Sequence, residues 1–149
     1  MTDSLDVVAP VPGQVIALAD VPDAVFAQQI VGSGVAIDPE RGPGTAVAPV
    51  AGRLLKLHPH AFVVLTATGQ GVLVHLGIDT VQLDGEGFEL VAMEGDELAV
   101  GDPIVRWDPA AVEAGGRSPV VPIVVMDTAA DTVSATVVGS TVNVGDPLF

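Results

Sequence analysis

The chain contains no cysteine and only five lysine and arginine residues among its 149 residues. The absence of cysteine excludes disulfides, cysteine-rich metal sites and thiol catalysis, and it fits a reducing compartment. The scarcity of cations argues against nucleic-acid binding, because contacts to phosphate need clustered lysine and arginine. The formal net charge of −14 fits either a solvated acidic surface or attraction to a basic protein partner.

Long apolar runs are also missing, although 49% of the residues are hydrophobic. Proline and glycine interrupt each apolar stretch well before membrane-spanning length, so no direct membrane insertion is expected. Asp3 and Asp6 stand where a signal peptide would be basic, so the sequence predicts no secretory leader. We therefore expect a soluble, cytoplasmic protein whose residues 1–149 form a single domain.

Short valine-rich segments broken by glycine or proline predict an all-β fold, an antiparallel sandwich or barrel, because helical periodicity is almost absent. Two short helical turns are expected. One covers residues 23–28, and the other has Asp108 as N-cap, Pro109 at its first position and Gly115 as its stop. Strands are predicted near residues 5–9, 14–18, 30–37, 45–48, 52–57, 61–67, 71–76, 87–91, 103–107, 120–126 and 133–138.

Two short motifs occur twice. VAPVPG at residues 8–13 recurs as VAPVAG at 47–52, and VGDPI at 100–104 recurs as VGDPL at 144–148. Each copy joins an extended X-Pro step to a glycine turn, which is typical of a strand, a tight turn and a second strand. The duplication predicts a pseudo-symmetric β-sandwich that resembles the biotinyl/lipoyl hybrid motif. The single lysine, Lys56, lies in the middle of a predicted strand, whereas such carriers need a modified lysine at a hairpin tip.

The three histidines lie close together in the sequence, at His58, His60 and His75. The segments 61–67 and 71–76 flank a glycine turn and predict a β-hairpin. A two-residue turn would place His75 on the face that carries residues 60, 62 and 64, within reach of His60. A three-residue loop would instead put the two rings on opposite faces and separate them.

The predicted face of the hairpin also carries Phe62, Val64 and Leu73, so we expect His75 to be partly desolvated and neutral. A neutral imidazole nitrogen is a nucleophile near neutral pH, and a second imidazole can stabilise charge that develops on a phosphoryl group. Three interpretations remain open on spacing alone. The histidines form an incidental structural pair, a divalent-metal site that includes Asp79, or a centre for phosphoryl chemistry.

Longer motifs surround these histidines. They are VHLGIDTV at residues 74–81, GEGF at 85–88, HAF at 60–62, DVPDAVF at 20–26 and IVGSGVAI at 30–37. Taken in their order along the chain, they resemble the glucose-type enzyme IIA family, phosphocarriers of the bacterial sugar phosphotransferase system. The resemblance covers essentially the whole chain, and the string around His75 is its most specific part. The family fold is an antiparallel β-sandwich without a cofactor.

The resemblance implies a role for each of several residues. His75 would accept a phosphoryl group from the phosphohistidine of HPr and pass it to a cysteine of the IIB domain of a sugar permease. His60 would steady the phosphoryl oxygens. Four residues would serve partner docking: Asp23, Phe26, Phe62 and Asp79. When unphosphorylated, family members also bind other permeases or metabolic enzymes, and the sugar is chosen by the permease.

Simpler explanations exist for the same residues. Asp23 could begin a helical turn, Asp79 could cap the turn after Gly77, and Phe26 and Phe62 could be plain core, as we expect for Trp107. His58 stands where well-studied members carry a threonine near the active-site pair. It either replaces the hydrogen bond of that threonine or lies on the rim of the site.

Overall fold

The computed structural model describes residues 6–133 and 136–149, and within them the chain forms eleven strands in two antiparallel sheets. The strands are β1 (Gly13–Ala17), β2 (Gly32–Pro39), β3 (Gly44–Val47), β4 (Gly52–His58), β5 (Ala61–Leu65), β6 (Gly71–His75), β7 (Glu89–Leu90), β8 (Glu97–Leu98), β9 (Pro103–Trp107), β10 (Val121–Met126) and β11 (Thr141–Val142). The larger sheet has the order β11-β1-β2-β10-β6-β5-β4-β8, and the smaller has the order β3-β9-β7. The predicted β-sandwich class is confirmed.

The main core lies between the sheets and is built from alternate residues of the strands. Val35 and Ile37 of β2 and Ile123 of β10 are fully buried in it. The residues next to them along the strands, Ala36 and Val124, are also fully buried but belong to a second cluster on the other face. Because side chains alternate along a strand, these central strands are covered on both faces.

The second cluster holds the short helix α1 (Ala24–Ala27) against the sheet. Its members are Leu18, Val21, Phe26, Ala36, Ile78, Val120 and Val124. Phe26 comes from the helix itself, and Ile78 follows the end of β6. This packing brings α1 next to the end of the strand that carries His75.

The repeated motifs form matching backbone contacts. The amide of Gly145 donates to the carbonyl of Ala9, and the amide of Gly101 donates to the carbonyl of Ala48, each at 2.9 Å. In the reverse direction, Ala9 and Ala48 donate to the carbonyls of Asp146 and Asp102. Each Val-Ala-Pro copy is therefore joined to one Val-Gly-Asp copy, which explains the duplication as a structural feature.

Both predicted helical turns are confirmed. The carboxylate of Asp23 accepts from the amide of Val25 at 2.9 Å and begins α1, and Asp108 likewise accepts from Ala110 and begins α2 (Pro109–Ala114). Gly115 follows as the C-cap of α2. Side-chain capping of this kind satisfies amides that a helix leaves free at its first turn.

Three strand predictions need correction. The first strand reduces to one bridge between Val8 and Pro147, and residues 87–91 form only the two-residue β7. In the predicted strand 133–138, residues 134 and 135 lie outside the described part, and Val133 and residues 136–138 are turns or bends. On its outer side β1 pairs with the short β11, which was not among the predicted strands; the turn motif at residues 143–146 fixes this chain end beside Ala9.

Two other expectations for the chain are confirmed. Trp107 is 4% exposed and stacks on Phe88 with ring centroids 6.1 Å apart, so it is a core residue. Lys56 lies within β4 rather than at a hairpin tip. Across residues 6–133 and 136–149, none of the helices has the length and apolar character needed to span a membrane.

Candidate functional site

His75 is the last residue of β6, and its register against β5 is of the kind that a three-residue loop produces. It lies opposite Ala61, because three residues, 67–69, form the loop between Thr66 and Gln70. Of the two loop lengths considered from the sequence, the three-residue loop is the one present. In this register a regular strand would direct the side chains of residues 60 and 75 to opposite faces.

The two rings nevertheless meet, because His60 is not a strand residue. His58 pairs with Ala61, so Pro59 and His60 form a tight turn between β4 and β5. The amide of Leu76 donates to the carbonyl of His60 at 2.7 Å, which fixes the turn beside the end of β6. The ring centroids of His60 and His75 are 5.3 Å apart with an interplanar angle of 68°.

The same register corrects the assignment of Phe62. Phe62 and Val64 lie on the face opposite His75 and are buried in the main core, where Phe62 is 1% exposed. A partner cannot reach a side chain with so little exposed surface. Leu73, two residues before His75, does share its face, as predicted.

A backbone carbonyl fixes the protonation pattern of His75. The Nδ1 atom lies 2.5 Å from the carbonyl oxygen of Gly77. Since a carbonyl oxygen only accepts, Nδ1 must carry the proton and donate it. In the neutral ring the lone pair is then on Nε2, which leaves that nitrogen as the nucleophile.

Both rings favour the neutral form. Burial lowers the pKa of His75 below its ordinary value, partly opposed by the Gly77 carbonyl and by the charges of Asp23 and Asp79. Burial also lowers the pKa of His60, and the neighbouring His75 and His58 lower it further. The expected desolvation of His75 is thus confirmed. The neighbours that bury its ring are not Phe62 and Val64, which lie on the opposite face.

Two carboxylates flank His75 with different local roles. Asp23 caps α1 through its side chain, so the structural explanation for this residue holds, while its charge also acts on His75. Asp79 begins the 3-10 helix Thr80–Leu83 without a side-chain capping bond, and its backbone adopts a left-handed φ of 60°. Its exposed carboxylate is therefore not used as a cap.

Phe26 lies against the ring of His75, with centroids 5.3 Å apart, and is 7% exposed. It is therefore part of the wall behind the ring as well as a member of the second core cluster. Larger apolar surface is offered by its neighbours Val25 and Ile30, and by Val81 after Asp79, which are 45%, 66% and 57% exposed. Exposed apolar groups with flanking carboxylates are typical of a docking surface.

His58 completes a row of three rings. It stacks on His60 with centroids 5.7 Å apart and an interplanar angle of 25°. The row does not support the metal-binding alternative, because no group of three or more histidine, aspartate or glutamate side chains in the described part could hold a metal ion.

Two features of the site are not predicted from the sequence. Gly77 provides the carbonyl that orients His75, and a Cβ at this position would lie 2.6 Å from Thr80 Cγ2. Pro59 packs beside Gly85, where a Cβ would lie 3.3 Å from its Cγ. The interruption at residues 58–60 between two predicted strands was the available signal for a hairpin turn there.

A β-sandwich that presents an oriented, neutral histidine beside a second one fits the phosphocarriers of sugar uptake, and comparison with known proteins agrees. Residues 5–131 match the family described as the phosphoenolpyruvate-dependent sugar phosphotransferase system, EIIA 1. The chain belongs to this family.

Relatives and a solved structure show how far the similarity extends. The glucose-specific EIIA component of the phosphotransferase system from Staphylococcus aureus (strain Mu50) is 43% identical over 122 residues, which are 80% of this chain and 72% of that protein. Its counterpart from Staphylococcus epidermidis is 37% identical over 124 residues, covering 82% and 74%. The glucose permease IIA structure from Mycoplasma capricolum superposes with a TM-score of 0.84 at 35% identity, over 97% of this chain and 93% of that one.

Proposed function

We propose that this chain is a phosphocarrier in which Nε2 of His75 accepts and donates the phosphoryl group. The observation that carries the proposal is the contact of His75 Nδ1 with the Gly77 carbonyl beside the ring of His60. This contact leaves Nε2 free. Because the ring is already neutral, no general base is needed to activate it as a nucleophile.

The proposed reaction has two displacements. In the first, Nε2 attacks the phosphorus of the phosphohistidine of HPr, so a new N–P bond forms at His75 while the N–P bond of HPr breaks. In the second, a thiolate of a IIB domain attacks the same phosphorus, and the bond electrons return to Nε2. No proton has to leave His75, because Nδ1 retains its hydrogen throughout.

His60 is the proposed stabiliser of the phosphoryl group. Its ring meets the ring of His75 nearly edge-on, so a ring nitrogen of His60 can donate to oxygens that gain charge as the bonds exchange. The lowered pKa of His60 means that the neutral ring donates through a single N–H. This role depends on where the His60 ring lies rather than on a positive charge on that ring.

The proposed docking surface consists of Val25, Ile30 and Val81, with Phe26 behind them and the carboxylates of Asp23 and Asp79 at the sides. Apolar contact would supply affinity, and the carboxylates would attract basic residues of HPr. The names of the relatives favour a glucose-type permease as the second partner. Such a carrier would work in the cytoplasm.

The test is a labelling assay with labelled phosphoenolpyruvate, enzyme I and HPr. Wild-type protein should become labelled, and His75→Ala should not. His60→Ala should still accept label but pass it to IIB about 100-fold more slowly, the usual cost of losing one hydrogen-bond donor to developing charge. A labelled His75→Ala protein would show that the acceptor lies elsewhere.

A further inference from the structure

The ring of His60 has no hydrogen bond that fixes its orientation among the described residues. His75 differs, because the Gly77 carbonyl holds its Nδ1. Contacts that fix the backbone of His60 do exist, through Leu76 and through the packing of Pro59 beside Gly85. They do not restrict rotation of the imidazole about its own side-chain bonds.

Two rings flank His60, and they do so differently. His75 meets it at 68°, and His58 covers it at 25°, in a stacked arrangement with centroids 5.7 Å apart. Stacked aromatic rings at this separation attract one another, and a flat partner restricts tilting of the ring that it covers. His58 ends β4, so its backbone is held by the pair with Ala61.

We propose that His58 is a positioning residue for phosphoryl transfer: its ring stacks on His60 and holds that imidazole in the orientation that meets a phosphoryl group on His75. His58 does not touch the phosphoryl group in this arrangement. This inference rests on the proposed function for its effect on transfer, whereas its effect on the His60 ring is independent of that function.

Three variants separate a stacking role from other roles. His58→Ala removes the ring. His58→Phe keeps a flat aromatic ring but removes both nitrogens. Lys56→Ala, two residues earlier on the same strand and also exposed, is the matched control for the loss of a long side chain near the hairpin end.

The first readout is the motion of the His60 ring, measured by carbon-13 relaxation in the unphosphorylated protein. The His60 ring should be more mobile in His58→Ala than in the wild-type protein. In His58→Phe and in the Lys56→Ala control it should be as ordered as in the wild type. A His60 ring that is equally ordered in His58→Ala would overturn the inference, whether or not the protein carries phosphate.

The second readout is the rate of transfer from phosphorylated protein to a IIB domain. His58→Ala should slow this step about 3- to 10-fold, the range expected for the loss of one aromatic pair, and His58→Phe should restore it to within about twofold. A His58→Phe protein as slow as His58→Ala would show that an imidazole nitrogen acts directly and would contradict stacking. If wild-type protein accepts no label at all, the proposed function fails, and the ring-motion result still decides the role of His58.

Discussion

The three histidines differ in what holds each ring. His75 is held by a hydrogen bond to a backbone carbonyl, and His60 lies between two rings. His58 is exposed and touches the site through its face. In the proposed mechanism these three residues are, in the same order, the phosphoryl acceptor, the stabiliser of the phosphoryl group and the support for the stabilising ring.

The lowered pKa values of His75 and His60 predict a pH dependence of stability. A histidine whose folded pKa lies below its unfolded value of 6.5 takes up protons more readily when unfolded. Its contribution to stability is present above about pH 6.5 and is lost as the pH falls through the folded pKa. Urea unfolding between pH 7.5 and 5.5 should therefore show a falling free energy of unfolding. In the double variant His60→Asn/His75→Asn, the free energy of unfolding should depend less on pH. An unchanged dependence would mean that protonation of these two rings does not cause it.

At the scale of elements, the turn between β4 and β5 is the part that sequence reasoning described least well. Period-two alternation correctly predicted β5 and β6 and placed Leu73 with His75. It failed for His60, because alternation applies to strand residues and Pro59-His60 is a turn. The register was left open between a two-residue and a three-residue loop, since loop length depends on hydrogen bonds around Thr66 and Gln70 that composition does not reveal.

The contact between Pro59 and Gly85 provides a test of how this turn is supported. Gly85→Ala adds a Cβ that would lie 3.3 Å from Pro59, at a backbone φ of 84°. Gly87→Ala is the matched control, because its φ is 87° and its Cβ would meet open space. Both variants should lose about 1–2 kcal/mol of stability through left-handed strain. Only Gly85→Ala should also shift the ring resonances of His60 and slow transfer to IIB; equal behaviour of the two variants would exclude a role for this contact.

At the scale of the whole molecule, the sequence predicted the architecture better than the site. The short valine-rich segments and the duplicated motifs led to a pseudo-symmetric β-sandwich, and the paired contacts of Ala9 and Ala48 explain the duplication. The ends of the chain were harder to predict. A strand as short as β11 owes its pairing to the fixed turn at residues 143–146 and not to its own propensity.

The acidic character of the molecule predicts a salt-dependent encounter with HPr. A chain with a net charge of −14 should associate with a basic partner more slowly as ionic strength rises, because added ions screen the attraction. Stopped-flow association of Asp23→Asn/Asp79→Asn should be slower than wild type and less sensitive to salt. Asparagine preserves the cap of α1 and tolerates the left-handed backbone at residue 79. Glu40→Gln/Glu97→Gln, which removes two exposed carboxylates outside this surface, is the control; if it changes the rate as much, net charge alone would account for the effect.

The most direct test of the account is the position of phosphate on the phosphorylated protein. Nitrogen-15 and phosphorus-31 NMR of uniformly labelled protein, phosphorylated through enzyme I and HPr, should show one phosphohistidine, with phosphorus coupled to Nε2 of His75 and a proton retained on Nδ1. The contact of Nδ1 with the Gly77 carbonyl predicts this assignment. Phosphorus bonded to Nδ1 of His75, or to either nitrogen of His60, would contradict it.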